Sequence, residues 1–173
     1  MSTKTHTDTK KKPLSVIIKE IGQTLRECEQ TLATAESCTG GLLGDNLTNT
    51  PGSSKWFKGG VIAYSNEVKV GLLFVKKETL KKHGAVSKEV AKDMASGVRK
   101  RLKSDIGVAI TGIAGPDKDE TKKPVGLVFI ALSSNKKTIV KKLNLSGSRI
   151  GIKKASITAL TLELKEALLR EEL

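Results

Sequence analysis

Aromatic residues are scarce: one Trp, one Tyr and three Phe make up 3% of 173 residues. Proteins that grip single-stranded nucleic acid stack bases on aromatic side chains, so this composition argues against that class. Only two cysteines (Cys28, Cys38) and two histidines (His6, His83) are present. Their spacing matches no metal-binding pattern, and no metal or other cofactor is expected. Two thiols with no recognisable export signal fit a reducing compartment, so a cytoplasmic location is expected. No apolar run approaches the length needed to span a bilayer, so no membrane partner is expected. The shortage of histidine also weighs against a Ser–His–Asp triad: His6 lies in the polar start and His83 in a helix-ending turn without a flanking motif.

What the sequence has in excess is positive charge. The formal net charge is +13. The first twelve residues, MSTKTHTDTKKK, hold four lysines and one aspartate and supply +3 of it; the remaining +10 is spread over every expected loop and helix face. Residues 1–13 read as a disordered basic tail and residues 14–173 as a single domain. With no nucleic-acid motif and no dense basic block beyond Lys10–Lys12, the lysines read as a solvated surface, and no specific nucleic-acid partner is expected.

From Leu14 the apolar positions 17, 21 and 25 recur at helical spacing. TLATA (31–35) reads as a buried strand, followed by a Gly-rich turn and a short helix over 40–48. WFKGGVIAYS supplies a second strand, and Asn66–Phe74 a helix capped by Ser65 or Asn66. A helical turn stops at Gly84. Ser87 caps a longer helix with the stripe Val90, Met94, Val98 and Leu102. IGVAITGIAGP, VGLVFIALSS and KTIVKKLNLS give strands three to five, with DKDETKK as a solvated insertion. A last helix starts at Arg149 with Ile157, Leu160, Leu164 and Leu168 on one side. Most of the strands lack polar alternation, which predicts a sheet buried between helix layers.

Two strands end in Gly-rich turns, ESCTGG (36–41) and TGIAGP (111–116). Ligands of open α/β sheets bind beyond the carboxyl ends of the strands. Glycines there let backbone N–H groups approach a phosphate or a developing oxyanion. Neither turn matches the dinucleotide fingerprint or the P-loop. A third stretch, YSNEVK (64–69), ends a strand at Tyr64 and places Lys69 on the first turn of the next helix. Ser and Lys can form a hydrolytic pair if the lysine is desolvated and neutral; taken alone, Lys69 reads as one more surface lysine in a chain that has many. Cys38 rivals Ser37 as nucleophile. Successive residues leaving a strand point to opposite faces, so only one of the two is expected to face the site. Glu36 and Glu67 are weaker candidates for paired-carboxylate chemistry.

TAESCTGG, PGSSKWFKGGVIAYSNEVK, HGAVSKEVAKDMASGVRKRLKSDIGVAITGIAGPD and KPVGLVFIAL, in this order, resemble the C-terminal domain family of the competence/damage-inducible protein CinA. The likeness runs from about residue 15 to 165. It implies an α/β fold, a three-layer α/β/α sandwich around a mixed, mostly parallel five-stranded sheet. It implies hydrolysis of the carboxamide of nicotinamide mononucleotide to nicotinate mononucleotide and ammonia, in the service of pyridine nucleotide salvage. Carried over, Ser37 is the nucleophile, Lys69 the base and Tyr64 a relaying or orienting group. Thr39, Gly40 and Gly41 are expected to supply oxyanion N–H groups. Thr111, Gly112, Gly115 and Arg149 are expected to bind substrate, with the anion donors among them taking the 5′-phosphate. A homodimer is also implied. The family's additional N-terminal hydrolase domain has no room in this chain. Two departures stand out: Ser148 where the family often has Asp before the last helix, and DKDETKK where further glycines are usual. Alternatives carried forward are an amidase for a related nicotinamide nucleotide or nucleoside, and a non-catalytic binding protein.

Overall fold

The computed structural model describes residues 12–117 and 122–173. His6 and most of the expected N-terminal tail lie outside the described residues, as does the centre of the DKDETKK insertion. At the tail's end, Lys12 is tied down by an ion pair to Glu20 at 2.5 Å.

Five strands form one sheet: β1 (Leu32–Glu36), β2 (Phe57–Ile62), β3 (Ile106–Gly112), β4 (Leu127–Ser133) and β5 (Thr138–Asn144), in the order β2-β1-β3-β4-β5. β1 pairs in parallel with both β2 and β3, whereas β3–β4 and β4–β5 are antiparallel. The sheet is therefore mixed, with half of its ladders antiparallel. The cause is local: parallel neighbours need a long crossover, and only residues 134–137 separate β4 from β5. The central strands β1, β3 and β4 are buried almost throughout, while the edge strand β2 alternates between half-buried and exposed.

Among the described residues, six α-helices cover the two faces. α1 (Leu14–Glu27), α2 (Leu42–Thr48) and α6 (Arg149–Leu169) pack on one face. They bury Ile17, Ile21, Leu25, Leu43, Leu47, Ile157, Leu160 and Leu164 against Leu32, Val108, Ile110, Ile130 and Leu132. On the other face lie α3 (Asn66–Leu73), α4 (Lys77–His83) and α5 (Lys88–Leu102). Here α5 presents Val90, Met94 and Val98 to small residues, Ala33, Ala35, Ala109 and Ala131. Small side chains on that face let α5 lie close: a Cβ added to Gly107 would meet the Ala95 carbonyl at 2.2 Å. α5 is also pressed against the end of α3, where a Cβ on Gly97 would sit 1.9 Å from the Leu73 carbonyl oxygen. Ser65, Ser87 and Ser148 cap α3, α5 and α6 by accepting from the N–H groups of Val68, Val90 and Gly151. No helix among the described residues is long and apolar enough to cross a membrane.

Candidate active site

The carboxyl ends of β1, β2 and β3 come together with the starts of α3 and α6 around a cavity of about 340 Å³. Its walls include Ser37, Cys38, Tyr64, Asn66 and Lys69, the segment Thr111–Asp117, Ala85, Val86 and Arg149.

Ser37 leaves β1 with its N–H donating to the Ile110 carbonyl at 3.0 Å, one step beyond the β1–β3 ladder. Its side chain falls on the α3/α5 face, as do Ala33 and Ala35. Lys69 sits on the first turn of α3 and is buried, with 1% of its surface exposed. Its Nζ lies 2.7 Å from the Ala63 carbonyl, 3.3 Å from the Tyr64 carbonyl and 3.1 Å from Ser37 Oγ. Burial lowers the Lys69 pKa to about 8, against the pull of Cys38 and Glu67, which favour the charged form. Once the ammonium loses a proton, two N–H groups and one lone pair remain. The two carbonyls can only accept, so they take the N–H groups and the lone pair is directed at Ser37 Oγ. That is the geometry of a general base on a hydroxyl nucleophile.

Cys38 also lines the cavity, but it belongs to the core cluster on the α1/α6 face and is mostly buried. Burial, reinforced by the Glu36 charge, raises its pKa to about 11. A thiol held protonated is a poor nucleophile.

The glycine turn departs from expectation. Gly40 and Gly41 do not line the cavity. The Gly40 N–H closes a turn onto the Ser37 carbonyl, and the Gly41 N–H donates to the Glu36 carboxylate at 3.0 Å. Glu36 also accepts from Leu43 and Gly44 at 3.1 and 2.8 Å, while the Leu42 N–H goes to the Thr39 carbonyl. The N-terminus of α2 is thus satisfied from within, and an anion at the site finds no free donors there. Left over are the N–H groups of Cys38 and Thr39, to which no backbone carbonyl or carboxylate among the described residues is bonded. The Thr39 hydroxyl is buried and also without a partner. The positive φ of Gly40 and Gly41, +62° and +98°, explains the glycines instead: the chain must turn sharply to bring α2 under the Glu36 carboxylate.

Tyr64 also differs in role. Its ring is largely exposed and its hydroxyl accepts from Arg149 at 3.0 Å, rather than bonding Ser37 or Lys69. Tyr64 orients Lys69 through its main-chain carbonyl. Arg149 also donates to the Gly115 carbonyl and so bridges two walls of the cavity. With Ser148 serving as the cap of α6, Arg149 is oriented by Gly115 and Tyr64, and the missing Asp leaves no gap. The Thr111 hydroxyl is spent on the Ala85 carbonyl at 2.9 Å, which removes it as a donor to substrate. Lys123 clasps the same wall from outside, donating to the His83 and Val86 carbonyls at 2.7 Å each. Gly112 and Gly115 line the cavity. The carbonyls of Ala63 and Tyr64 left no side-chain signature in the sequence. Among the described residues no cluster of three His, Cys, Asp or Glu side chains could hold a metal ion.

The site is thus a buried Ser–Lys pair at the carboxyl ends of parallel strands in a three-layer α/β/α domain. The family model described as the CinA C-terminal domain matches residues 14–168, and the chain belongs to that family. It is similar to the CinA-like proteins of Kosmotoga olearia (58% identical over 125 residues) and Thermosynechococcus vestitus (55% over 130 residues). Those matches cover 72% and 75% of this chain but 30% and 31% of the relatives, so the chain spans less than a third of their length. Among solved structures it is similar to a CinA superfamily protein from Klebsiella pneumoniae. That likeness has a TM-score of 0.89 and 28% identity, over 92% of this chain and 99% of that one. It is also similar to a competence/damage inducible protein from Agrobacterium tumefaciens, with a TM-score of 0.85 and 34% identity, over 90% and 94%.

Proposed function

We propose that this domain is an amidohydrolase that converts nicotinamide mononucleotide to nicotinate mononucleotide and ammonia, with Ser37 as nucleophile and Lys69 as base. The observation that carries the chemistry is the buried Lys69 Nζ at 3.1 Å from Ser37 Oγ, with two carbonyls holding its other hydrogens. Neutral Lys69 takes the Ser37 proton as Oγ attacks the carboxamide carbon. The resulting ammonium returns the proton to the leaving nitrogen, and ammonia departs from an acyl-Ser37 ester. Water, deprotonated by Lys69, attacks the ester and frees Ser37 and the carboxylate product. The N–H groups of Cys38 and Thr39, which no backbone carbonyl or carboxylate among the described residues takes, are assigned to the oxyanion, each donor of this kind supplying roughly 3–4 kcal/mol of transition-state stabilisation. Family resemblance supports the substrate, as does the charge of the cavity. Arg149 retains N–H groups for a 5′-phosphate, and Asp117 is the only carboxylate among the described lining residues, suited to the cationic pyridinium ring.

The test is ammonia release from nicotinamide mononucleotide by wild type beside Ser37→Ala, Cys38→Ala and Lys69→Ala. Activity that survives only in wild type and Cys38→Ala is the expected result. Release of no ammonia by folded wild type would remove the substrate assignment.

A further inference from the structure

We infer that Glu36 is a positioning residue for the Ser37–Lys69 pair, acting as an internal anion that locks the turn from which Ser37 reaches the base. The inference rests on the Ser–Lys reading of the site but not on the identity of the substrate.

Glu36 is the last residue of β1, with 2% of its surface exposed. Among the described residues it has no cationic partner within ion-pair distance. Its charge is instead met by three N–H groups, those of Gly41, Leu43 and Gly44, at 3.0, 3.1 and 2.8 Å. A buried carboxylate is retained only where such donors hold it. The same residue acts through its main chain. Its carbonyl accepts from the Ala63 N–H at 2.7 Å, and the Ala63 carbonyl in turn holds Lys69 Nζ at 2.7 Å. One residue therefore fixes both partners, Ser37 by direct chain connection and Lys69 through Ala63. The carboxylate closes the turn of residues 37–41 onto α2. Without it, two glycines in the left-handed region leave the turn free to take other conformations.

A glutamine in place of Glu36 has nearly the same volume, but only one acceptor oxygen, and its NH₂ faces N–H donors. A residue that merely fills space would tolerate the exchange; a residue that holds three donors would not. The experiment measures labelling of Ser37 by a fluorophosphonate, in which Oγ attacks phosphorus, fluoride leaves and the serine proton passes to Lys69. It compares wild type, Glu36→Gln and Glu36→Ala, from pH 6 to 10, with folding followed by circular dichroism. Both variants are expected to react at least tenfold more slowly than wild type, with the pH midpoint set by Lys69 unmoved. Folded Glu36→Gln labelled within twofold of wild type would overturn the inference. If Glu36→Gln does not fold, Gly44→Pro removes one of the three donors in the first helical turn and leaves Glu36 in place. It should then slow labelling at least threefold, and an unchanged rate would overturn the inference. Wild type that is labelled but releases no ammonia from nicotinamide mononucleotide would cost only the substrate assignment. Wild type that is not labelled would overturn both.

Discussion

Replacing Lys69 by Met tests the desolvated base directly, because it turns a pKa into a stability that depends on pH. Lys69 is buried, and burial brings its pKa from an ordinary 10.5 down to about 8. The unfolded chain holds the proton more tightly than the folded one, so between pH 8 and 10.5 the unfolded state binds more protons. Stability therefore rises with pH across that window. Below pH 8 the full penalty applies, about 3 kcal/mol for a shift of this size. The penalty is relieved as Lys69 deprotonates in both states. Unfolding by urea at pH 7 and pH 10, for wild type and Lys69→Met, gives a double difference in which the other titrating groups cancel. Wild type should gain about 2–3 kcal/mol relative to Lys69→Met between the two pH values. The absolute effect at pH 7 is smaller than the penalty, since Met also leaves the Ala63 and Tyr64 carbonyls without a donor. A double difference under about 1 kcal/mol would show that Lys69 titrates like a solvated lysine and would refute the desolvated-base geometry. The same pKa places the rising limb of kcat/KM near pH 8, with about a tenfold fall for each pH unit below it.

Ser37→Ala should abolish ammonia release by at least about 10³-fold while leaving melting nearly unchanged, and Cys38→Ala should remain within a few-fold of wild type; equal losses in the two would move the nucleophile to sulfur. Iodoacetamide at pH 8 should modify exposed Cys28 well before Cys38, whose thiol is buried and stays protonated to about pH 11, as peptide mapping would show. Arg149→Ala should raise KM for the mononucleotide by about 10- to 100-fold, the range expected for hydrogen bonds to a charged group, with little effect on its dephosphorylated nucleoside. Gly97→Ala should cost more than about 3 kcal/mol or prevent folding, because its methyl would meet main chain at Leu73 rather than a movable side chain.

The sheet and its helices were legible because they are written in side-chain periodicity. The stripe through Val90, Met94 and Val98 and the capping serines at 65, 87 and 148 left direct marks. The run of buried residues in β1 and β3 marked strands covered on both faces. Strand direction was less open to reading, since it depends on whether a crossover helix intervenes, and the described residues before β4 and after it carry none. At the site, the pairing of Ser37 with Lys69 was anticipated from resemblance; spacing alone could not tell Lys69 from the many solvated lysines. The glycine turn was misjudged because its N–H groups are answered by Glu36, a side chain just upstream. A carboxylate at the end of a buried strand, followed within eight residues by a helix start, is the pattern that would have revealed it. The contributions of the Ala63 and Tyr64 carbonyls had no such pattern, since every residue has a carbonyl.

The cavity divides its labour along the chain. Ser37 and Lys69, with the turn and carbonyls that hold them, come from one uninterrupted early stretch, whereas the opposite wall comes from the segment after β3 and the first residue of α6. Under the proposed function, bond-breaking and ligand choice are encoded in separate parts of the sequence. Changes confined to residues 112–117 and to Arg149 can alter what is admitted while the reacting pair stays untouched, so variation in this domain can proceed by exchanging one wall around a constant engine. A chimaera carrying a relative's β3–β4 segment should inherit the donor's preference for ligands and keep the recipient's dependence on pH.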